Sequence, residues 1–219
     1  MNQAYEVSHL LAGAMLVTSF ALLYQQRIAA VLNAFAVQSV TLALAVAWAA
    51  WSDNRPDLFI TAFIALVLKG IIIPVALHRT VARLGIHREV EKVVGVGAAL
   101  LVGLALTGLA QALVVKVASA TAGHAREELA LALSIVLLGF LMMIVRRNAV
   151  TQVVGFMSME NGLILAATGA RGMPLVVEVS VAFSVLIALF VFAVFVFRIR
   201  ERFDTVDIEA LDRMRGDRR

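Results

Sequence analysis

The sequence predicts an all-α integral membrane protein with seven transmembrane helices, its N-terminus outside, its C-terminus cytoplasmic and a short amphipathic tail. Three observations predict this. First, 62% of the 219 residues are hydrophobic and 16% are charged, against about 25% charged in a soluble domain. Mean hydropathy is +0.93, and disorder requires the opposite composition. Second, seven stretches supply the roughly 20 apolar residues that a bilayer core about 30 Å thick demands of a helix. Third, the basic residues divide unevenly between the two sides those stretches define.

The spans fall near 7–24, 28–51, 58–78, 93–118, 127–145, 149–169 and 174–197. They read as helices because a barrel strand shows about 10 residues of alternating polarity, and runs such as Val93 to Val115 do not alternate. Short linkers make consecutive helices antiparallel neighbours within one domain, 1–197. The first span follows Met1–Glu6, which has no Lys or Arg, and precedes Arg27. That order fits a helix inserted with its N-terminus outside and not a cleaved signal peptide. The second closes on Trp48 and Trp51, as an aromatic belt does. The third carries Lys69, Gly70 and Pro74. Gly95, Gly97, Gly103 and Gly108 around the fourth favour close helix packing. The sixth starts at Arg146-Arg147-Asn148 and the seventh holds Glu178 and Ser184. The tail 198–219 is densely charged, with Phe203, Val206, Ile208, Leu211 and Met214 at near-helical spacing. It reads either as a solvated segment on lipid head groups or as a docking strap for a partner subunit.

With the N-terminus outside, fourteen of the 19 basic residues lie on inner segments. Four lie on outer ones (Arg55, Lys116, Arg126 and Arg171), and Lys69 is within a span. Six or eight spans would blur that contrast. The net charge of +4 and the pI of 10.1 therefore set orientation and do not point to nucleic acid. Absence of cysteine excludes disulfides, thiolate zinc sites, iron–sulfur ligation and Cys nucleophiles. His9, His78, His87 and His124 lie near span ends or loops without metal-ligand spacing. There is no phosphate-binding Gly-rich loop, HExxH, GxSxG or haem-attachment motif. No metal and no cofactor is expected on this chain.

A charge at mid-bilayer costs about 2.5–3.5 kcal/mol on insertion scales, so intramembrane ionisable residues mark the candidate site. Lys69 and Glu160 are each the twelfth residue of their span, which places both near the midplane. Pro74 lacks the N–H that would bond the Gly70 carbonyl, so the third helix is expected to kink or open beside Lys69. Exposed backbone at that depth requires surrounding protein or a water-filled cavity. Burial favours the neutral form of an acid while a nearby cation favours the ionised one, and that competition makes a protonatable switch. Glu160 is flanked by Ser158, Asn161 and Gly162, with Gln152 two turns earlier, and Gln38 extends a polar file from the second span. A buried ion pair that only fixes helix register is the alternative. Two opposite charges at one depth beside a Gly–Pro break favour conduction of protons or ions. Glu178, nearer the outer end, is explained by snorkelling.

At an offset of 121, Phe35 meets Phe156, Leu42 meets Leu163, Leu44 meets Leu165, Ala45 meets Ala166, and Ser39 falls opposite Glu160. As a repeat, this makes spans 1–3 and 5–7 parallel units around span 4.

The stretch Arg146-Arg147-Asn148 through Gly155-Phe156-Met157-Ser158-Met159-Glu160-Asn161-Gly162 resembles hydrogenase-4 component E, the HyfE family. Lys69 with Pro74 five residues on is similar to that family's third helix, and Thr205-Val206-Asp207-Ile208-Glu209 with Met214-Arg215-Gly216 to its C-terminus. The last three spans resemble the NuoK subunit of respiratory complex I and the MrpC-type subunits of cation/proton antiporters. Those sequences place the carboxyl about one turn earlier, near Met157, which keeps it on roughly the same face; Asn161 matches their Asn. The resemblance implies a membrane-arm subunit in a bacterial or archaeal plasma (inner) membrane, multi-pass and surrounded by membrane lipid. Its implied partners are antiporter-like membrane subunits and peripheral redox subunits. It implies Glu160 as the protonatable carboxyl, Lys69 as its relay partner and Glu178 in the place of a family glutamate. Many relatives carry an acid about two turns beyond that glutamate, where this chain has Ser184. That departure supports a structural linker between antiporter-like neighbours as the alternative. A stand-alone secondary transporter is the third reading, allowed by the short loops.

Overall fold

The computed structural model describes residues 2–83, 94–117 and 123–169, together with Leu186. The chain divides into two compact units, Met1–Ser184 and Val185–Arg219. All described residues but Leu186, which is helical and exposed, belong to the first. Apart from Leu186, the expected seventh span, with Glu178 and Ser184, and the charged tail lie outside the described residues.

The described elements are helical: α1 (Asn2–Tyr24), α2 (Ile28–Ser52), α3 (Asp57–Ile64), a π-helical segment (Ala65–Ile72), α4 (Ile73–Arg83), α5 (Val96–Val117), α6 (Gly123–Val145) and α7 (Ala149–Gly169). Six stretches among them are long and apolar enough to cross a membrane: Tyr5–Tyr24, Ile28–Ser52, Asp57–Arg79, Val96–Val117, Ala125–Val145 and Val150–Thr168. They match the first six expected spans to within a few residues. The protein is a multi-pass membrane protein. Its outward faces suit lipid; on α5, for example, Leu101 is 70% and Leu104 64% exposed.

Local chemistry fixes the ends. α2 closes in a Schellman arrangement. Asn54 takes a left-handed conformation at φ 54°, the Asn54 amide donates to the Trp51 carbonyl and the Arg55 amide to the Ala50 carbonyl. α7 opens on Asn148, whose Oδ1 accepts the Val150 amide at 2.9 Å, satisfying one of the donors a helix start leaves free.

The third span does not break at its Gly–Pro pair. It runs on as helix with one wide segment, in which the Ile73 amide reaches back five residues to the Leu68 carbonyl. A proline ring in an α-helix collides with the carbonyl four residues earlier, here Gly70. The wider π turn ahead of Pro74 accommodates it without opening the backbone. The expected opening of the backbone beside Lys69 is thus corrected to a continuous π-helical stretch that carries Lys69.

The core lies between α1, α2, α3, α6 and α7. It includes Met15, Leu42, Val46, Leu58, Ile135 and Ile164. α6 and α7 approach until only glycine fits between them. A Cβ on Gly139 would stand 2.6 Å from the Met159 amide nitrogen, and one on Gly162 2.9 Å from that of Val136. The glycines expected to pack closely were those of the fourth span. Among the described residues only Gly103 of these does so, against Leu138 and Phe20, while Gly95, Gly97 and Gly108 have no described neighbour within 4 Å of a built Cβ. The sequence marks where glycine is present, not which helix face meets a partner.

α1 and α6 run parallel. Near their N-terminal ends the Tyr5 hydroxyl donates to Glu127 and His9 Nδ1 stands 3.9 Å from Glu127 Oε2. At their C-terminal ends Arg146 Nη2 donates to the carbonyls of Leu22, Leu23 and Gln25 at 3.0, 2.9 and 2.6 Å. Arg27 and Arg146 are each in an isolated backbone bridge. Because tight turns follow both helices, α2 and α7 are parallel too, and they pack together.

Candidate functional site

The two deep charges meet. Lys69, on the π segment, brings Nζ to 3.2 Å from Glu160 Oε2 on α7. Both side chains are almost wholly enclosed, at 2% and 4% exposure, so this pair is not a solvent-screened surface bridge. Lys69 Nζ also donates to Asn161 Oδ1 at 3.0 Å. The close crossing of α6 on α7 at Gly139, Gly155 and Gly162 holds the turn bearing Glu160 and Asn161 at a fixed depth.

The site continues into α2 and α1. Asn161 Nδ2 donates to Gln38 Oε1 at 3.3 Å and to Ser39 Oγ at 3.4 Å. Gln38 Nε2 donates to Ser158 Oγ at 2.9 Å and Ser19 Oγ at 2.7 Å. All of these residues are buried. The low-dielectric setting strengthens each bond and raises the cost of any group left unpaired.

Of the residues singled out in the sequence, Lys69, Glu160, Asn161 and Gln38 come together. Gly70 and Pro74 flank Lys69 within and just after the π segment; a Cβ on Gly70 would touch Val40 at 3.4 Å. Ser39, set opposite Glu160 by the internal echo, contacts Asn161. Gln152 stays apart and donates to the Arg146 carbonyl at 2.9 Å. Glu178 and Ser184 lie outside the described residues.

Sequence reasoning missed Ser19, because a serine in a helix ordinarily bonds its own backbone, as Ser134 does to the Ala130 carbonyl. It also read Arg146 as one more inner-loop charge. The structure buries Arg146 to 1% exposure, where it closes the end of α1. Its Nε and Nη1 have no hydrogen-bond partner among the described residues. Among the described residues no cluster of His, Asp and Glu could hold a metal ion.

No family model matches the chain, and no solved structure matches it. An uncharacterised protein of Mycobacterium tuberculosis, Rv0085, is 29% identical over 208 residues, covering 93% of this chain and 94% of that protein. Hydrogenase-4 component E of Escherichia coli K12 is 29% identical over 210 residues, covering 94% of this chain and 96% of the relative. The protein of the same name from Shigella flexneri gives the same figures. Over nearly its whole length the chain is therefore similar, at 29% identity, to a protein named as one component of a hydrogenase.

Proposed function

We propose that the chain is a membrane-arm subunit of a complex I-like energy-converting assembly of the hydrogenase-4 type, and that it contributes to proton or cation translocation through Glu160 and Lys69. The observation that carries this reading is the enclosed ion pair at 3.2 Å within helices able to span a membrane. Moving one proton from the Lys69 ammonium to the Glu160 carboxylate neutralises both groups in a single step. Under this reading, a shift in a neighbouring subunit that changes the surroundings of the pair drives that transfer.

Under this reading the chain has seven spans in a bacterial or archaeal plasma membrane, with the N-terminus outside. The parallel run of α1 and α6 fits the alternation of its first five spans, since four reversals separate the two. Antiporter-like membrane subunits and peripheral redox subunits are the proposed partners.

The deciding experiment is redox-driven proton uptake by the assembled complex carrying Glu160→Gln. The expected loss is on the order of a hundredfold, the scale of a missing proton-transfer group. Full coupling in that variant removes the carboxyl from the path. One observation favours a second reading, a structural linker: the pair and its amide file tie α1, α2, the π segment and α7 together. In that case Glu160→Gln releases neighbouring subunits on purification, while the complexes that remain assembled couple normally.

A further inference from the structure

The hydrogen bonds around Lys69 all point one way. An ammonium has donors only, so the atom of Asn161 that faces it at 3.0 Å has to be Oδ1. That choice turns the Asn161 amide nitrogen toward α2, where it donates to Gln38 Oε1 and Ser39 Oγ. Gln38 Nε2 is then obliged to donate onward, to Ser158 and Ser19. The Ser19 hydroxyl, already an acceptor, donates to the Met15 carbonyl at 2.9 Å. One donor-only group thus polarises a file across α7, α2 and α1 whose longest branch ends on the Met15 carbonyl, with side branches onto the Ser39 and Ser158 hydroxyls. A carbonyl has no proton to hand on, and two of the links are carboxamides. A carboxamide neither takes up nor releases a proton at ordinary pH as a carboxyl or an amine does.

We infer that Gln38 and Asn161 are positioning residues: their amides hold the Lys69 ammonium in line with Glu160 and close that flank of the pair to proton exchange. The polar file is an orienting clamp, and protons reach the pair from another side. This rests on the proposed role of Lys69 and Glu160 in proton transfer.

The test uses membranes containing the assembled complex, with assembly checked by co-purification and redox-driven proton uptake followed across pH. Gln38→Met keeps the side-chain length and removes the amide. It is expected to lower uptake about threefold to tenfold at neutral pH and to recover near wild-type rates in buffer about one pH unit more acidic, the scale of losing a hydrogen bond to a charged network. Ser19→Ala, at the far end of the file, is expected to displace the profile in the same sense by less. Uptake abolished at every pH in assembled Gln38→Met complexes overturns the inference, because the file then conducts. Unchanged pH profiles in both variants overturn it as well. If Gln38→Met does not assemble, Ser19→Ala decides by the same two criteria. Glu160→Gln measured alongside separates the two ideas. Full uptake in that variant sinks the proposed role of the pair. Lost uptake there, combined with either overturning result, sinks the clamp alone.

Discussion

Lys69 and Glu160 are each buried at a cost that their pairing offsets in part. Removing one partner leaves an uncompensated charge in the interior, which costs about 3–5 kcal/mol, whereas replacing both by apolar groups is often close to neutral. Lys69→Met is therefore expected to unfold at markedly lower temperature in mild detergent, and Lys69→Met/Glu160→Leu to regain most of that loss. A double variant no more stable than the single one would show that the two side chains are not energetically coupled. At this scale the sequence was legible where a residue was out of place: a lysine and a glutamate in apolar runs announce themselves. Ser19 and Ser39 do not, since hydroxyls are tolerated in any membrane helix. The burial of Arg146 was not legible, because adjacent arginines after a span look alike on paper and its neighbour Arg147 is exposed. Only tertiary contact distinguishes a topogenic charge from one that closes a helix.

The helices themselves were legible because the bilayer fixes their length and every backbone group inside it has to be paired. Which faces meet was not. The α6–α7 crossing depends on Gly139, Gly155 and Gly162, with the backbone of the opposing helix within about 3 Å of a built Cβ. Gly139→Val and Gly162→Leu are expected to destabilise by at least about 1–3 kcal/mol, the range for overpacking a close interface, as read by thermal unfolding. Gly108→Ala, with open space around it, is expected to stay within about 0.5 kcal/mol of the parent. Equal effects at the two kinds of position would contradict the packing described. The start of α7 makes a smaller claim. Asn148→Ala removes the bond to the Val150 amide and is expected to cost about 1 kcal/mol. The π segment was half anticipated: the Gly–Pro pair marked the place, but a helix can answer a proline by widening as well as by breaking.

For the whole molecule, the absence of cysteine makes orientation easy to measure. Gln26→Cys and Ser52→Cys stand at opposite ends of α2. The first is expected to react with an impermeant thiol reagent only from the cytoplasmic side, the second only from outside. The reverse pattern would overturn the charge-based orientation. The internal echo is slight because apolar helices share few distinguishing letters; α1 packs on α6 and α2 on α7. The long reach from Arg146 to the carbonyls of Leu22, Leu23 and Gln25 also has a consequence in time. While the ribosome is still making the middle of the chain, the first hairpin enters the lipid with its exit turn unfinished, dependent on interfacial water for its last carbonyls. It is locked only when a residue more than a hundred positions later arrives. A chain truncated before Arg146 is expected to keep those three carbonyls without this donor.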